Sequence, residues 1–419
     1  MTLQDALRMM GTRVMISRES DAALAAAITA GQADHIQNNP QLPHKPVISP
    51  ALGVHGDVTL RPISVMLELA LGTVLNEDPD IAAFARHWSI FRYLGVFAKE
   101  VQTGRLHLDT AALKYIGANQ RRVLSEELGI GFGIIVAKQW CKARNPGIGP
   151  ITVIDVDKAL KKGQVPLLED KKNGRQPDYL LSYFDPTNPR VKIYDLLETK
   201  GTADKSNAKK QLSRAVTQLA GLTLNGQPMT GIAISTVSKT NGFHVMAVDP
   251  EEEPTTWEPT NEALEYWRTS KEPFRQDDFK LDLPREEFLA TATNVGFASL
   301  ADFSGQQEVA TRWLPNLDTG RKTKTNADVS RRTASGSFVG TEYVVEIPGT
   351  SARLRVFRGA EEHVVGGLRA LDATAVLGAQ RAFAETHVDE FDTPHESNDN
   401  SETVSAVTSD GSMLEISLG

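Results

Sequence analysis

Cysteine is almost absent from this chain of 419 residues: Cys141 stands alone. No disulfide can form within one molecule, which excludes a disulfide-framed module and a paired-thiol redox centre. Cys141 reads as a buried apolar residue. The nine histidines are scattered without paired metal-ligand spacing, so no zinc site is suggested. Long apolar runs are missing too. The longest, residues 129–137, is nine residues, well short of the roughly 20 needed to cross a bilayer. Near the amino terminus, Asp5 and Arg8 stand where a signal peptide would have a basic start and an apolar centre. The expectation is a cytoplasmic protein with no membrane partner. There is also no paired-cysteine finger, no leucine-zipper heptad array and no RNA-binding aromatic motif, so nothing reads as a sequence-specific base reader.

What is present suits an ordinary globular protein of two or three domains, with 40% hydrophobic residues to build sizeable cores. The net charge of −8 opposes nucleic-acid binding at first sight, but its distribution is uneven. Between Lys158 and Arg214, thirteen Lys and Arg stand against seven acids, a local net of +6 that leaves −14 for the remainder. Such a segment is either a solvated surface or a local groove for a phosphate backbone.

Pro177-Asp178 lies inside that segment, and Glu198-Thr199-Lys200 follows at the end of the apolar stretch 191–197. Side chains alternate along a strand, so Glu198 and Lys200 point to one side of a sheet. With Asp178 opening the neighbouring strand, its carboxylate reaches the edge where Glu198 emerges, and two hard oxygen ligands can hold Mg²⁺. Lys200 can orient or deprotonate an attacking water, or neutralise charge growing on phosphate oxygens. The acid-x-lysine spacing recurs at 169–171, 170–172 and 278–280, but in polar or turn-like settings without a preceding strand.

These residues resemble the PD-(D/E)XK nuclease superfamily, the restriction-endonuclease-like fold, over roughly residues 117–250. The family core runs helix, three strands, helix, strand. The sequence predicts a helix over 121–141, strands over 151–155, 178–184 and 190–200, a helix over 206–220 and a strand over 231–237, all in that order. The resemblance implies an α/β fold with a mixed central sheet flanked by helices, and a Mg²⁺-dependent deoxyribonuclease in which Mn²⁺ substitutes. It implies metal binding by Asp178, Glu198 and the backbone carbonyl of Thr199, with Lys200 assisting the water. The first helix offers Glu126 and Glu127 as an auxiliary acid. Glu127 is preferred, because Gly131, Ile134 and Lys138 continue its face. Gln211, on the polar face that also holds Arg214 and Gln218, resembles a substrate-side residue. Glycines 129, 131 and 133 in the first helix mark either close approach to the sheet or a break. The implied partner is nucleic acid, DNA ahead of RNA, and the family's habit of pairing implies a homodimer. By analogy such cores serve anti-phage defence or restriction. The alternative is a catalytically silent nucleic-acid-binding or assembly protein that keeps the scaffold, with protein partners through its flanking regions.

Those flanks divide into three. Residues 1–116 read as mostly helical, with an Ala-rich helix over 20–33, a proline-rich loop over 38–62 and two packed helices around Val65 to Leu71 and Ile81 to Phe91. Residues 251–259 read as a linker. Residues 260–388 read as a small α+β region, with a basic loop over 316–337, a hairpin over 338–358 and a helix over 368–387. Residues 389–419 hold eight acids and no Lys or Arg. They form an acidic tail with a terminal hairpin turning at Asp410-Gly411, either a solubilising segment or a phosphate mimic for a basic groove.

Overall fold

The computed structural model describes residues 2–419 apart from 39, 41–42, 74–90, 163–175, 251, 253, 270–280, 316–327, 348 and 388–401. The helix expected around Ile81 and Phe84, the three other acid-x-lysine triplets, Lys171, Lys172 and Arg175 of the basic segment, Arg321 to Lys324 of the basic loop and most of the acidic stretch after Asp389 lie outside the described residues. No helix among the described residues is long and apolar enough to cross a membrane.

The chain builds a large mixed sheet with helices on both faces. In order, its central elements are β1 (Val14–Glu19), α1 (Ala22–Asn38), β2 (Gly56–Leu60), α2 (Pro62–Gly72), α3 (Ala118–Arg144), β3 (Thr152–Asp155), α4 (Val156–Lys162), β4 (Tyr179–Phe184), β5 (Lys192–Thr202), α5 (Lys205–Leu219), β6 (Gly231–Lys239) and β7 (Gly242–Pro250). The strand order is β2-β1-β7-β6-β5-β4-β3. β5 runs parallel to β6 and antiparallel to β4, while β7 closes a hairpin with β6. All six residues of β4 are buried, as are the first eight of β5 and of β6. Near-continuous apolar strands of this kind belong to a sheet covered on both sides.

Parity along the strands decides what lies on each face. Leu197, Ile232 and Ile234 join Leu128 and Phe132 of α3 in one core. Leu196 and Ala233 join Leu212 and Ala215 of α5 in the other. Glu198 and Lys200 share the parity of Leu196 and therefore project from the α5 face.

α3 is continuous through its three glycines, so close approach explains them. A Cβ at Gly129 would lie 2.7 Å from Gly201 Cα, and one at Gly133 would lie 2.7 Å from Thr199 Cγ2. Gly201 answers from the strand: a Cβ there would sit 1.8 Å from the Ser125 carbonyl oxygen. Backbone thus lies almost on backbone beside Lys200, which Gly alone permits. Gly131 faces elsewhere, against the Val65 carbonyl of α2.

The flanking regions are more entangled with this sheet than their sequences suggest. The amino-terminal region, expected to be mostly helical, also supplies strands: β1 pairs in parallel with β7, with Ser17 opposite His244, and β2 pairs with β1. Only Val14 and Ile16 of β1 are buried hydrophobics, too short an alternation to announce a strand. From the expected linker, Thr255–Trp257 adds a short antiparallel pairing to β5.

The carboxy-terminal region contributes α6 (Arg285–Phe303), β8 (Val329–Thr333), β9 (Gly336–Glu346), β10 (Arg353–Glu361), α7 (Glu362–Ala370), α8 (Ala373–Thr386), β11 (Thr403–Val407) and β12 (Ser412–Leu418). Part of the expected loop over 316–337 is strand β8. The single helix expected over 368–387 is two helices, because Leu371 turns left-handed at φ 55° and Asp372 caps the second by accepting from the Ala375 N–H. The terminal hairpin is not a loose tail. β12 pairs with β10 along its length in a five-stranded sheet, Arg61 donates to the Ser405 carbonyl, and Val404, Ala406 and Leu414 lie in the core shared with α2 and α3. Residues 403–418 are therefore not available to occupy a groove.

Candidate active site

The register of β4 against β5 pairs Tyr179 with Leu197, which sets Asp178 opposite Glu198. The two interlock through main-chain groups. The Asp178 N–H donates to Glu198 Oε2 at 2.9 Å, and the Thr199 N–H donates to Asp178 Oδ2 at 3.1 Å. Lys200 reaches back to both acids: its ammonium pairs with Glu198 Oε1 and stands 3.9 Å from Asp178 Oδ2. The side chain of Glu198 is completely buried, while those of Asp178 and Lys200 are 36% and 27% exposed. The site therefore has a closed floor and an open rim.

Electrostatics follow from that shape. Burial, with the neighbouring Asp178 charge added to it, pushes the Glu198 carboxyl well above its ordinary range. Burial also raises Asp178, against the opposing pull of Lys200 and of the Thr199 N–H. For Lys200 burial works downward, but Glu198 and Asp178 together outweigh it and hold the ammonium above its ordinary value. Two carboxylates facing one ammonium leave a deficit of positive charge.

Among the described residues no group of three or more His, Cys, Asp or Glu forms a ready metal cage. A carboxylate at the rim above a buried one nevertheless suits Mg²⁺, which keeps several waters and is commonly bound through one or two carboxylates plus substrate phosphate. Two buried polar atoms on the α5 side of the sheet lack hydrogen-bond partners among the described residues. They are Oγ of Ser235, opposite Lys200 in the β5–β6 register, and Oε1 of Gln211 on α5.

The remaining residues singled out in the sequence are placed differently. Glu127 is engaged by Arg92, at 2.6 Å, and by the hydroxyl of Tyr93. The face it shares with Gly131 and Lys138 is turned toward α2, where Gly131 meets Val65 and Lys138 pairs with buried Glu68 at 2.5 Å. Glu126 belongs to the other face: its Cα would lie 2.9 Å from a Cβ at Gly201, and its charge helps raise Lys200. Among the described residues it pairs with Arg122 at 3.8 Å, and its side chain is 57% exposed. The sequence carried a signal for this placement. Gly129 and Gly133, three and seven residues beyond Glu126, mark the face pressed against β5. Gln211 makes no hydrogen bond to the three central residues.

A fourth acid, Asp157, went unremarked in the sequence. It opens α4 directly after β3, accepts from Gln176, and adds its charge to the raising of Asp178.

No protein-family model matches the chain, and no curated protein or solved structure matches it.

Proposed function

We propose that this chain is a metal-dependent nuclease that hydrolyses phosphodiester bonds of nucleic acid, DNA ahead of RNA, through a restriction-endonuclease-like core. The observation that carries the reading is the convergence of Asp178, Glu198 and Lys200 from two paired strands onto one partly open rim. Sequence spacing alone cannot arrange this, since it requires the antiparallel register of β4 and β5. Asp178 and Glu198, with the Thr199 carbonyl, are the residues that would hold Mg²⁺. The ion would polarise a phosphoryl oxygen and lower the pKa of bound water.

The chain's own groups do the rest. Glu198 is fixed from below by the Asp178 N–H and cannot swing out. Asp178 is oriented by the Thr199 N–H. Lys200, held as an ammonium between the acids, neutralises charge developing on non-bridging phosphate oxygens, an electrostatic role that a preorganised, partly desolvated cation performs with little reorganisation. Glu126 lies at the Lys200 side of α3 and supplements the acidic set there. A role in restriction or anti-phage defence is the biological setting that goes with this reading.

The test is incubation of purified protein with linear duplex, circular duplex, single-stranded DNA and RNA, in Mg²⁺, in Mn²⁺ and in chelator, beside Asp178→Ala and Lys200→Ala. Cleavage by the wild type alone, abolished by chelator, is expected. Wild type and variants equally inert in every condition, with nucleic acid still bound, would establish instead a silent scaffold that binds without cutting.

A further inference from the structure

At the end of β6 a cleft of about 190 Å³ opens, lined by Ser17, Arg105, Lys205, Lys239, Asn241 and His244 among others. Every charged side chain in its lining is basic. The volume is below the roughly 300 Å³ at which pockets for drug-sized ligands begin, so a phosphate group suits it better than a nucleoside. We propose that this cleft is a phosphate subsite for the nucleic-acid strand whose scissile bond lies at Asp178, Glu198 and Lys200. The inference rests on the nuclease reading and adds to it where the strand to be cut is gripped.

Strand register places the cleft on the same face as those three residues. Lys200 is opposite Ser235 in the parallel β5–β6 pair, so Val237 and Lys239, two and four residues on, project from the side that carries Lys200. His244 pairs with Val237, and Ser17 with His244, which carries the same face across to β7 and β1. Lys239 is then one strand over and about 13 Å along from the level of Lys200, at roughly 3.3 Å per residue. A nucleic-acid strand covers such a span in about four nucleotides at roughly 3.4 Å of axis each. Lys205 opens α5 directly after the loop that follows β5, so the same short stretch of chain carries both the catalytic lysine and one wall of the cleft.

The basic side chains are held in place from behind. Glu19 accepts from Lys205 at 3.1 Å and from His244 at 2.7 Å, and Asp57 pairs with Arg105 at 3.0 Å. Neither acid lines the cleft. Lys239 stands at the β6–β7 turn beside Asn241 and makes no salt bridge among the described residues; the exposed Asp204 carboxylate that caps α5 acts on it only at longer range.

The experiment measures binding of a short labelled DNA duplex by fluorescence anisotropy in chelator across a salt series, and cleavage in Mg²⁺, for wild type, Lys239→Ala, Lys239→Arg and the double variant Arg105→Ala/Lys239→Ala. Lys239→Ala is expected to weaken binding about 3- to 10-fold at low salt and to reduce the slope of log K against log salt by about 0.9, the loss of one phosphate contact. Lys239→Arg should restore both, and the double variant should lose a second increment of slope. In cleavage, KM should rise with kcat largely kept. If the wild type binds and cuts DNA while Lys239→Ala and the double variant match it in affinity, slope and KM, the subsite is overturned and the nuclease reading stands. If the wild type neither binds nor cuts, both fall together.

Discussion

The main-chain N–H of Asp178 donates to Glu198 Oε2 at 2.9 Å, so the first acid of the site anchors the second through its backbone, while its own carboxylate, oriented by the Thr199 N–H, stands at the rim. With Lys200 as the one cation among the described residues that pairs with both, the two acids repel at close range. Asp178→Asn and Glu198→Gln should each lower cleavage by about 100-fold or more, and each should raise Tm in metal-free buffer by about 1–3 °C through relief of that repulsion. Mg²⁺ should raise the Tm of the wild type, because a ligand that binds only the folded state stabilises it, and should leave both variants unmoved. Equal Mg²⁺-induced shifts in all three proteins would show that the ion binds elsewhere.

Neighbouring glutamates on α3 have opposite assignments in space. Glu127 is tied to Arg92 and Tyr93, whereas Glu126 bears on Lys200. Glu126→Gln is therefore expected to reduce cleavage about 10-fold with little change in stability, as for a group acting on a developing charge. Glu127→Gln should cost about 1–3 kcal/mol of stability, the toll of weakening a part-buried charged hydrogen-bond cluster, with kcat preserved in the folded fraction. Urea unfolding and steady-state kinetics on both variants decide the matter, and the reverse pattern would return the auxiliary role to Glu127.

Gly201 follows directly after Lys200, and a Cβ there would lie 1.8 Å from the Ser125 carbonyl oxygen and 2.9 Å from Glu126 Cα. Gly201→Ala must push α3 away from β5. A destabilisation of about 3 kcal/mol or more is expected from overpacking at a backbone contact, together with lost cleavage as Lys200 shifts. Gly117, just ahead of α3, has nothing within 4 Å of a Cβ and no positive φ. Gly117→Ala is the matched control, expected to cost no more than about 1 kcal/mol, the difference between Gly and Ala as an N-cap. Denaturant midpoints measure both, and similar values for the two variants would contradict the close packing.

The core elements were legible because their signals are long. The 3.6-residue pattern of α5 and the apolar runs of β4 and β5 survive without knowledge of any partner. Three other features were not. β1 buries only Val14 and Ile16 of its hydrophobics and acquires its role from β7, more than 200 residues away in sequence, with Ser17 opposite His244. The terminal hairpin was visible as a hairpin, but its pairing to β10, Leu354 opposite Leu418, depends on a non-local contact that turn residues do not encode. The choice between Glu126 and Glu127 turned on which face of α3 meets the strand. Extending the helix face through Gly131, Ile134 and Lys138 leads to α2, and only the Gly129–Gly133 pair points to β5.

Far from the site, Lys192 opens β5 as a buried cation, 3% exposed, with its ammonium 5.3 Å from the centre of the Phe184 ring. Burial lowers its pKa from 10.5 to about 7, against the opposing pull of Asp410 in the turn of the terminal hairpin. In the unfolded chain the same amine has its ordinary value. Between about pH 7 and about pH 10.5 the unfolded chain therefore binds a proton that the folded chain has released, and this group's contribution to stability rises with pH through that window. Below the window both states are charged, and the full cost of burying the ammonium falls on the fold. Lys192→Met, which keeps the apolar stem, should thus be more stable than wild type near about pH 6, by on the order of 3 kcal/mol, with the advantage shrinking as pH approaches about 10. Urea midpoints of the two proteins across that range measure the difference. A gap that stays constant with pH would mean that Lys192 titrates normally and that water reaches its ammonium in the folded protein.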